Sequence, residues 1–157
     1  MEDQARQRGN ALGDTAREVA TNLKRVRQEA GLTQGELSQR VGELGWKIPP
    51  AAIGKIETND RRVEVDDLMV LSVALDVSPL ALLMPWTTRP GIVGRVSGQR
   101  GITPADGLWR WAVGDQPFDF VSSKEEDVVA DVQAFRYRSL PPWLQVLAEV
   151  PSYPGER

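Results

Sequence analysis

The sequence predicts a mainly α protein: five short helices over residues 14–85, followed by a small α+β region made of a β-hairpin and one or two helices. Three observations carry this reading. Apolar residues recur at helical spacing through the first half, start and stop signals cut that pattern into short segments, and aromatic residues alternate with polar ones beyond residue 107.

The first helix is expected to open on a capping box, Thr15-Ala16-Arg17-Glu18, in which the Thr hydroxyl bonds a free N–H and the Glu reaches back. Val19, Ala20, Leu23, Val26 and Ala30 form its apolar stripe, and Gly31 supplies a left-handed stop. A second box, Thr33-Gln34-Gly35-Glu36, opens a helix that buries Leu37 and Val41 and meets Gly42. After a loop through Trp46, Pro49-Pro50 starts the third helix, because proline is tolerated at the first helical position. Ile53 and Ile56 form its buried side, and Asn59 suits a left-handed cap. Leu68, Leu71 and Leu75 mark a fourth helix. Ser78-Pro79 caps and opens a short fifth through Leu80, Leu82 and Leu83.

Residues 1–13 read as a flexible tail, and 86–106 as a linker with a possible strand at Ile92–Val96. In residues 107–150, Trp109, Trp111 and Val113 alternate on one strand, with Phe118 and Phe120 on the next. Gly114-Asp115-Gln116-Pro117 supplies the turn between them. Ser122-Ser123-Lys124-Glu125-Glu126 then opens a helix carrying Val128, Val132 and Phe135. Pro141-Pro142 begins a last one through Trp143, Leu144 and Leu147, and residues 151–157 are expected to fray.

Composition excludes much. The 157 residues contain no Cys and no His, which removes Cys/His zinc sites, disulfides, Cys nucleophiles and His bases. No apolar run reaches the roughly 18 residues of a membrane span, and the polar N-terminus lacks a signal-peptide core. A soluble cytoplasmic protein without a cofactor and without enzymatic activity is the expectation. The acids Asp66/Asp67 and Glu125/Glu126/Asp127 sit where carboxylates offset helix dipoles. Ser122, Ser123 and Lys124 come with no cleavage segment to make a self-cleaving pair. Net charge is −3, unevenly spread: residues 1–62 hold 11 Lys/Arg against 9 Asp/Glu, and residues 63–157 hold 8 against 13.

The runs GLTQGELSQRVG, AAIGKIE and VDDLMVLSVALDVSPLALL resemble the lambda-repressor-like (Cro/XRE-type) helix-turn-helix domain, especially its actinobacterial and phage regulators. The resemblance spans roughly residues 15–85. It implies that the second helix points its N-terminus at the DNA backbone while the third lies in the major groove. Gln34, in the first turn of the second helix, is then a phosphate contact. With Ile53 and Ile56 inward, the third helix turns Pro50, Ala51, Gly54, Lys55 and Thr58 outward. Lys55 is the one strong donor among them. Lys47, in the preceding turn, and the pair Arg61 and Arg62, just after the helix, are expected on phosphates. Glu57 is expected to bond within the domain, and Trp46 to pack in the core.

Two departures from the family pattern stand out. The third helix begins Pro-Pro-Ala-Ala, which cannot make bidentate bonds to base edges. The turn before it, Gly42–Ile48, is longer than the usual three or four residues. The leading expectation is a sequence-specific, DNA-binding transcriptional regulator acting as a homodimer, with duplex DNA and itself as partners. The C-terminal half would assemble it or receive a small-molecule or protein effector. The alternative is an interaction module, an antitoxin or anti-regulator, whose helix-turn-helix scaffold binds another protein. The Trp/Phe cluster reads first as a small core, with a ligand pocket or an oligomer interface as the alternatives.

Overall fold

The structure, a computed structural model, describes residues 11–118 and 125–145. In chain order the elements are α1 (Asp14–Glu29), α2 (Gln34–Glu43), α3 (Pro50–Glu57), α4 (Val65–Leu75), α5 (Pro79–Leu83), β1 (Val93–Gly94), β2 (Thr103–Pro104), α6 (Ala105–Ala112), α7 (Glu125–Ser139) and α8 (Pro142–Gln145). The chain divides into two compact units, Met1–Ala105 and Asp106–Arg157. No helix among the described residues is long and apolar enough to cross a membrane.

The first unit is built around one apolar core. Leu23 and Val26 of α1, Leu37 and Val41 of α2, Ile53 and Ile56 of α3, Leu71 and Leu75 of α4 and Leu82 of α5 all bury there, joined by Ile48 from the turn. Each of the five helices thus contributes apolar residues that its spacing predicts, except that Ala30, expected on the α1 stripe, is the exposed C-cap of that helix. No single helix this short would persist alone in water, so the shared core is what holds them. Asn22 adds a polar tie. It is buried, and its side-chain N–H groups donate to the carbonyls of Leu82 (3.1 Å) and Met84 (2.9 Å), fastening the end of α5 to α1.

Two helix termini follow the predicted chemistry. At α2 both halves of the capping box are made: Thr33 Oγ1 accepts from the Glu36 N–H, and the Glu36 carboxylate accepts from the Thr33 N–H. The Thr33 N–H, then its hydroxyl, hold the Glu36 carboxyl below its ordinary value. At α5 the Ser78 hydroxyl accepts from the Ala81 N–H. Gly31 (φ 69°) and Asn59 (φ 60°) take the left-handed conformation expected of them.

Other starts and stops differ. The capping box expected at Thr15 does not form. Gly13 is the N-cap of α1, without a side-chain bond, and Thr15 lies inside the first turn. Its hydroxyl instead accepts from the Ser97 N–H (2.9 Å), while the Ser97 hydroxyl accepts from the Thr15 N–H (3.2 Å). A distant side chain, the Ser97 hydroxyl, therefore takes the place of the local cap as acceptor for the Thr15 N–H. Glu18, the other half of the expected box, is half-buried; burial, then the Asp14 charge, push its carboxyl up. At the end of α2, Gly42 is helical and the left-handed residue is Gly45 (φ 80°). Residues 44–49 therefore make the turn to α3.

Residues 86–105 are held to the helices of this unit. The Arg25 guanidinium lies 4.0 Å from the centre of the Trp86 ring. β1 pairs antiparallel with β2, Val93 opposite Pro104 and Gly94 opposite Thr103. Val96, in the connection, is buried. A two-stranded antiparallel pair is present, as predicted for the region after the helices, and its first strand falls within Ile92–Val96.

The hairpin predicted from Trp109 onward is not there: Trp109 and Trp111 belong to α6, and Leu108 is its fully buried residue. A short apolar run satisfies both periods, and Ala105, Leu108 and Trp111 also recur at helical spacing. The Gly-Asp-Gln-Pro segment ends that helix rather than turning a hairpin. Gly114 is left-handed (φ 85°), its N–H donates to the Trp111 carbonyl, and the Asp115 N–H reaches Arg110. Trp111 meets Phe118 edge to face at 5.1 Å. In the same unit, Arg136 of α7 pairs with Asp115 (3.4 Å), and Gly114 lies so close to Leu140 that a Cβ would come within 2.7 Å of it. Val128, Val132 and Phe135 are half-buried along α7. Phe120, Ser122–Lys124 and Leu147, with the tail residues 1–10 and 151–157, fall outside the described residues.

Candidate nucleic-acid interface

The helix pair α2–α3 is fixed by a charged cluster at its centre. Arg27 is an arginine on the buried stripe of α1, one helical turn beyond Leu23, and such a position demands a partner. Glu57, the last residue of α3, supplies it. Arg27 Nε and Nη2 donate to the two carboxylate oxygens at 2.6 and 2.9 Å, and Nη1 donates to the Leu32 carbonyl at 2.7 Å. Gln34, in the first turn of α2, donates its amide to the same carboxylate at 2.9 Å. Burial pushes the Glu57 carboxyl up, but the bonds from Arg27 and Gln34 and the Arg27 charge outweigh it and hold it below its ordinary value. The Glu57 bond raises Arg27 against its own burial. Glu57 is thus an internal carboxylate, as the resemblance implies, and it locks the start of α2 to the end of α3.

Gly54 has a defined task in this cluster. A Cβ there would sit 3.1 Å from Gln34 Oε1 and 3.4 Å from Nε2. The absent side chain lets the Gln34 carboxamide lie across α3 while Glu57 holds its N–H. Of the outward set, Pro50, Ala51, Lys55 and Thr58 are exposed and Gly54 is half-buried beneath Gln34. Thr58 is internally engaged: its hydroxyl donates to the Gly54 carbonyl (3.1 Å) and to Asp60.

The basic residues around α3 fall into two kinds. Lys47, Lys55 and Arg62 are exposed and join none of the ion pairs among the described residues. Arg61 is tied back, with Nη2 at 3.3 Å from Asp67. Asp67 is buried at the start of α4 and also accepts from the Trp46 indole N–H at 2.9 Å. Trp46 was expected in the core, yet its ring is 39% exposed and it serves as a strap between the α2–α3 turn and α4. An indole carries a donor that seeks an acceptor, and Asp67, at the rim of the core, supplies it.

Sequence reasoning did not identify Arg27 or Asp67. Arg27 was detectable as a charge at a core position of the α1 stripe. Asp67 resembles an ordinary first-turn acid, and only the fold brings Trp46 and Arg61 to it.

Residues 23–82 match the helix-turn-helix family. Among solved structures, the restriction-modification controller protein C.AhdI from Aeromonas hydrophila is similar at 25% identity, over 43% of this chain and 94% of that one, with a TM-score of 0.38. A hypothetical transcription factor, NHTF, from Neisseria is similar at 20% identity, over 49% of this chain and 85% of that one, with a TM-score of 0.42. No curated protein matches the chain. The matched segment, residues 23–82, holds the capped α2 and the α3 whose outer face is open, and it has the helix-turn-helix arrangement of the family it matches.

Proposed function

We propose that this protein is a sequence-specific, DNA-binding transcriptional regulator that acts as a homodimer, with residues 14–85 on the DNA and residues 107–150 assembling the dimer or receiving an effector. The observation that carries the reading is the α2–α3 pair: a rigid charged cluster inside and an exposed α3 face outside, with unpaired cations at both ends. In this reading Lys55 enters the major groove and reads bases. Gln34 meets a phosphate at the N-terminus of α2, where the helix dipole assists. Lys47 and Arg62 hold the backbone on either side, and Arg61 joins them to the extent that Asp67 releases it. Pro50 and Ala51 offer only apolar contact, suited to a thymine methyl, and Thr58 and Gly54 shape the surface.

Readout of this kind is thin for one protomer. Two half-sites bridged by a dimer multiply weak recognition through effective concentration, and DNA shape contributes the rest. Selection of bound duplexes from a random pool tests the reading. A two-fold symmetric motif, with affinity falling as salt rises by about 0.9 log units per neutralised phosphate, supports it. No enrichment over the starting pool refutes it. The apolar Pro50–Ala51 surface suits the rival reading, a scaffold that binds a protein; enrichment failure together with capture of one discrete protein partner would favour that instead.

A further inference from the structure

Resting on the DNA-binding reading, we propose that the hairpin tip, residues 95–102 between β1 and β2, is a second DNA-contacting element that lays Arg95 and Arg100 on the duplex beside the segment α3 occupies. From residue 77 to residue 105 the chain carries three arginines, Arg89, Arg95 and Arg100, and no acid at all. The surrounding sequence is the opposite: residues 63–76 contain Glu64, Asp66, Asp67 and Asp76 with no base. Along the chain the basic stretch holds no acid of its own, and across the fold Glu64 lines the cavity that Ser97 shares with Arg61 and Arg62. Arg89, Arg95 and Arg100 are all exposed, and none joins an ion pair among the described residues.

The tip is also held in one shape and one place. Gln99 Oε1 accepts from the Val96 N–H at 3.0 Å, and Val96 is buried. Gly98 and Gly101 are left-handed (φ 85° and 86°), and a Cβ on either would meet nothing within 4 Å. Gln99 and Arg100 therefore stand on a turn bounded by two left-handed glycines with open space around them. The reciprocal bonds between Ser97 and Thr15 fasten the tip to α1. Position then selects the partner. Ser97 and the pair Arg61 and Arg62 line one cavity of about 290 Å³, so the hairpin borders the loop that leaves the recognition helix. A duplex lying on α3 and Arg62 continues past that edge. Arginine suits what it would meet there, either phosphate oxygens or a narrow minor groove with its enhanced negative potential.

The test uses the full chain and a duplex obtained by selection. The double variant Arg95→Ala/Arg100→Ala should lower the slope of log K against log[salt] by about 1.8 per bound protomer, two phosphates at about 0.9 each. It should also shorten the hydroxyl-radical footprint at its outer edges, leaving the central motif unchanged. Arg95→Lys/Arg100→Lys should restore the slope if the contacts are to phosphate. If it restores neither slope nor footprint, while the Ala variant loses both, the contact is to the minor groove and the proposal stands. Circular dichroism melting of each variant guards against unfolding, and two exposed substitutions should leave it unmoved. A wild-type protein that binds its duplex with the same slope and footprint as the Ala variant overturns this proposal alone. A wild-type protein that selects no duplex overturns the DNA-binding reading and this one with it.

Discussion

Replacing Glu57 by glutamine should cost the helix-turn-helix unit about 3–5 kcal/mol, the range for removing one member of a buried ion pair. The structure fixes why the upper class of effect applies. The Glu57 side chain is 3% exposed and that of Arg27 10%, so neither charge can turn to water. Glu57 accepts three hydrogen bonds, two from Arg27 and one from Gln34. A glutamine of the same shape brings an NH₂ group into a site lined by donors, and leaves Arg27 with the Leu32 carbonyl as its other recorded partner. Against a total stability of roughly 5–15 kcal/mol for a domain, such a loss removes about a fifth at the least and most of it at the lower end. Urea unfolding followed by circular dichroism reads it as a midpoint lower by about 1 M or more, since slopes run near 1–3 kcal/mol/M. The same pair gives a pH signature. A carboxyl held below its unfolded value contributes stability that is present above about pH 4.3 and lost as pH falls through the folded value. The gap between wild type and Glu57→Gln should therefore narrow below pH 4. The double variant Arg27→Met/Glu57→Leu should recover most of the loss, because an apolar pair has no charge to desolvate. A Glu57→Gln cost under 1 kcal/mol, or a gap that stays constant through pH 3, refutes the account of this cluster.

Thr33→Ala should destabilise the unit by about 1 kcal/mol through loss of the capping box, read in the same urea titration. Gly54→Ala should leave stability within about 1 kcal/mol of wild type, because alanine's helix propensity offsets the shift its Cβ imposes on Gln34 and its bond to Glu57. Its Cβ should nevertheless displace Gln34 and weaken DNA binding about fivefold, roughly one hydrogen bond's worth; fluorescence anisotropy on the selected duplex checks it. Lys55→Ala should cost roughly 1–3 kcal/mol and relax preference at particular base positions, whereas Arg62→Ala should weaken all sequences about equally. Repeating the selection with both variants distinguishes them, and identical changes in the motif would contradict the placement of α3.

The helical half was legible because its signals are local and agree with one another. Thr33 and Glu36, or Ser78 and Pro79, state a helix start within four residues, and the apolar stripes of α1 to α5 all point to one core. The failures arise where a distant group enters. Thr15 has every local reason to cap α1, but Ser97 offers its backbone N–H and takes the hydroxyl. Trp46 has the composition of a core residue, but Asp67 accepts its indole N–H at the rim and leaves the ring half-open. Trp109 and Trp111 alternate like a strand, and the left-handed turn at Gly114 that ends their helix reads in sequence as a hairpin turn. In each case the local pattern is genuine and a tertiary partner decides between its two meanings.

Charge shows the same division on a larger scale, and there it alters the functional picture. Taken by halves, the chain is +2 over residues 1–62 and −5 over residues 63–157, which argues that nothing beyond α3 approaches DNA. Taken by element, the deficit of the second half comes from α4 and its flanks and from residues 106–157, while the hairpin between them is purely basic. Coulomb interactions between exposed groups fade over a Debye length of about 8 Å at physiological salt. A duplex therefore responds to the arginines it touches rather than to the sum over a half-chain. The fold brings the tip that bears Arg95 and Arg100 to the border of the Arg61–Arg62 loop and turns the acids of α4 into internal partners at one point, Asp67. The thin readout of Pro50, Ala51 and Lys55 and the basic hairpin are then complementary. Affinity need not come from the recognition helix if an adjoining element supplies phosphate contacts, and α3 is left free to discriminate with a single strong donor.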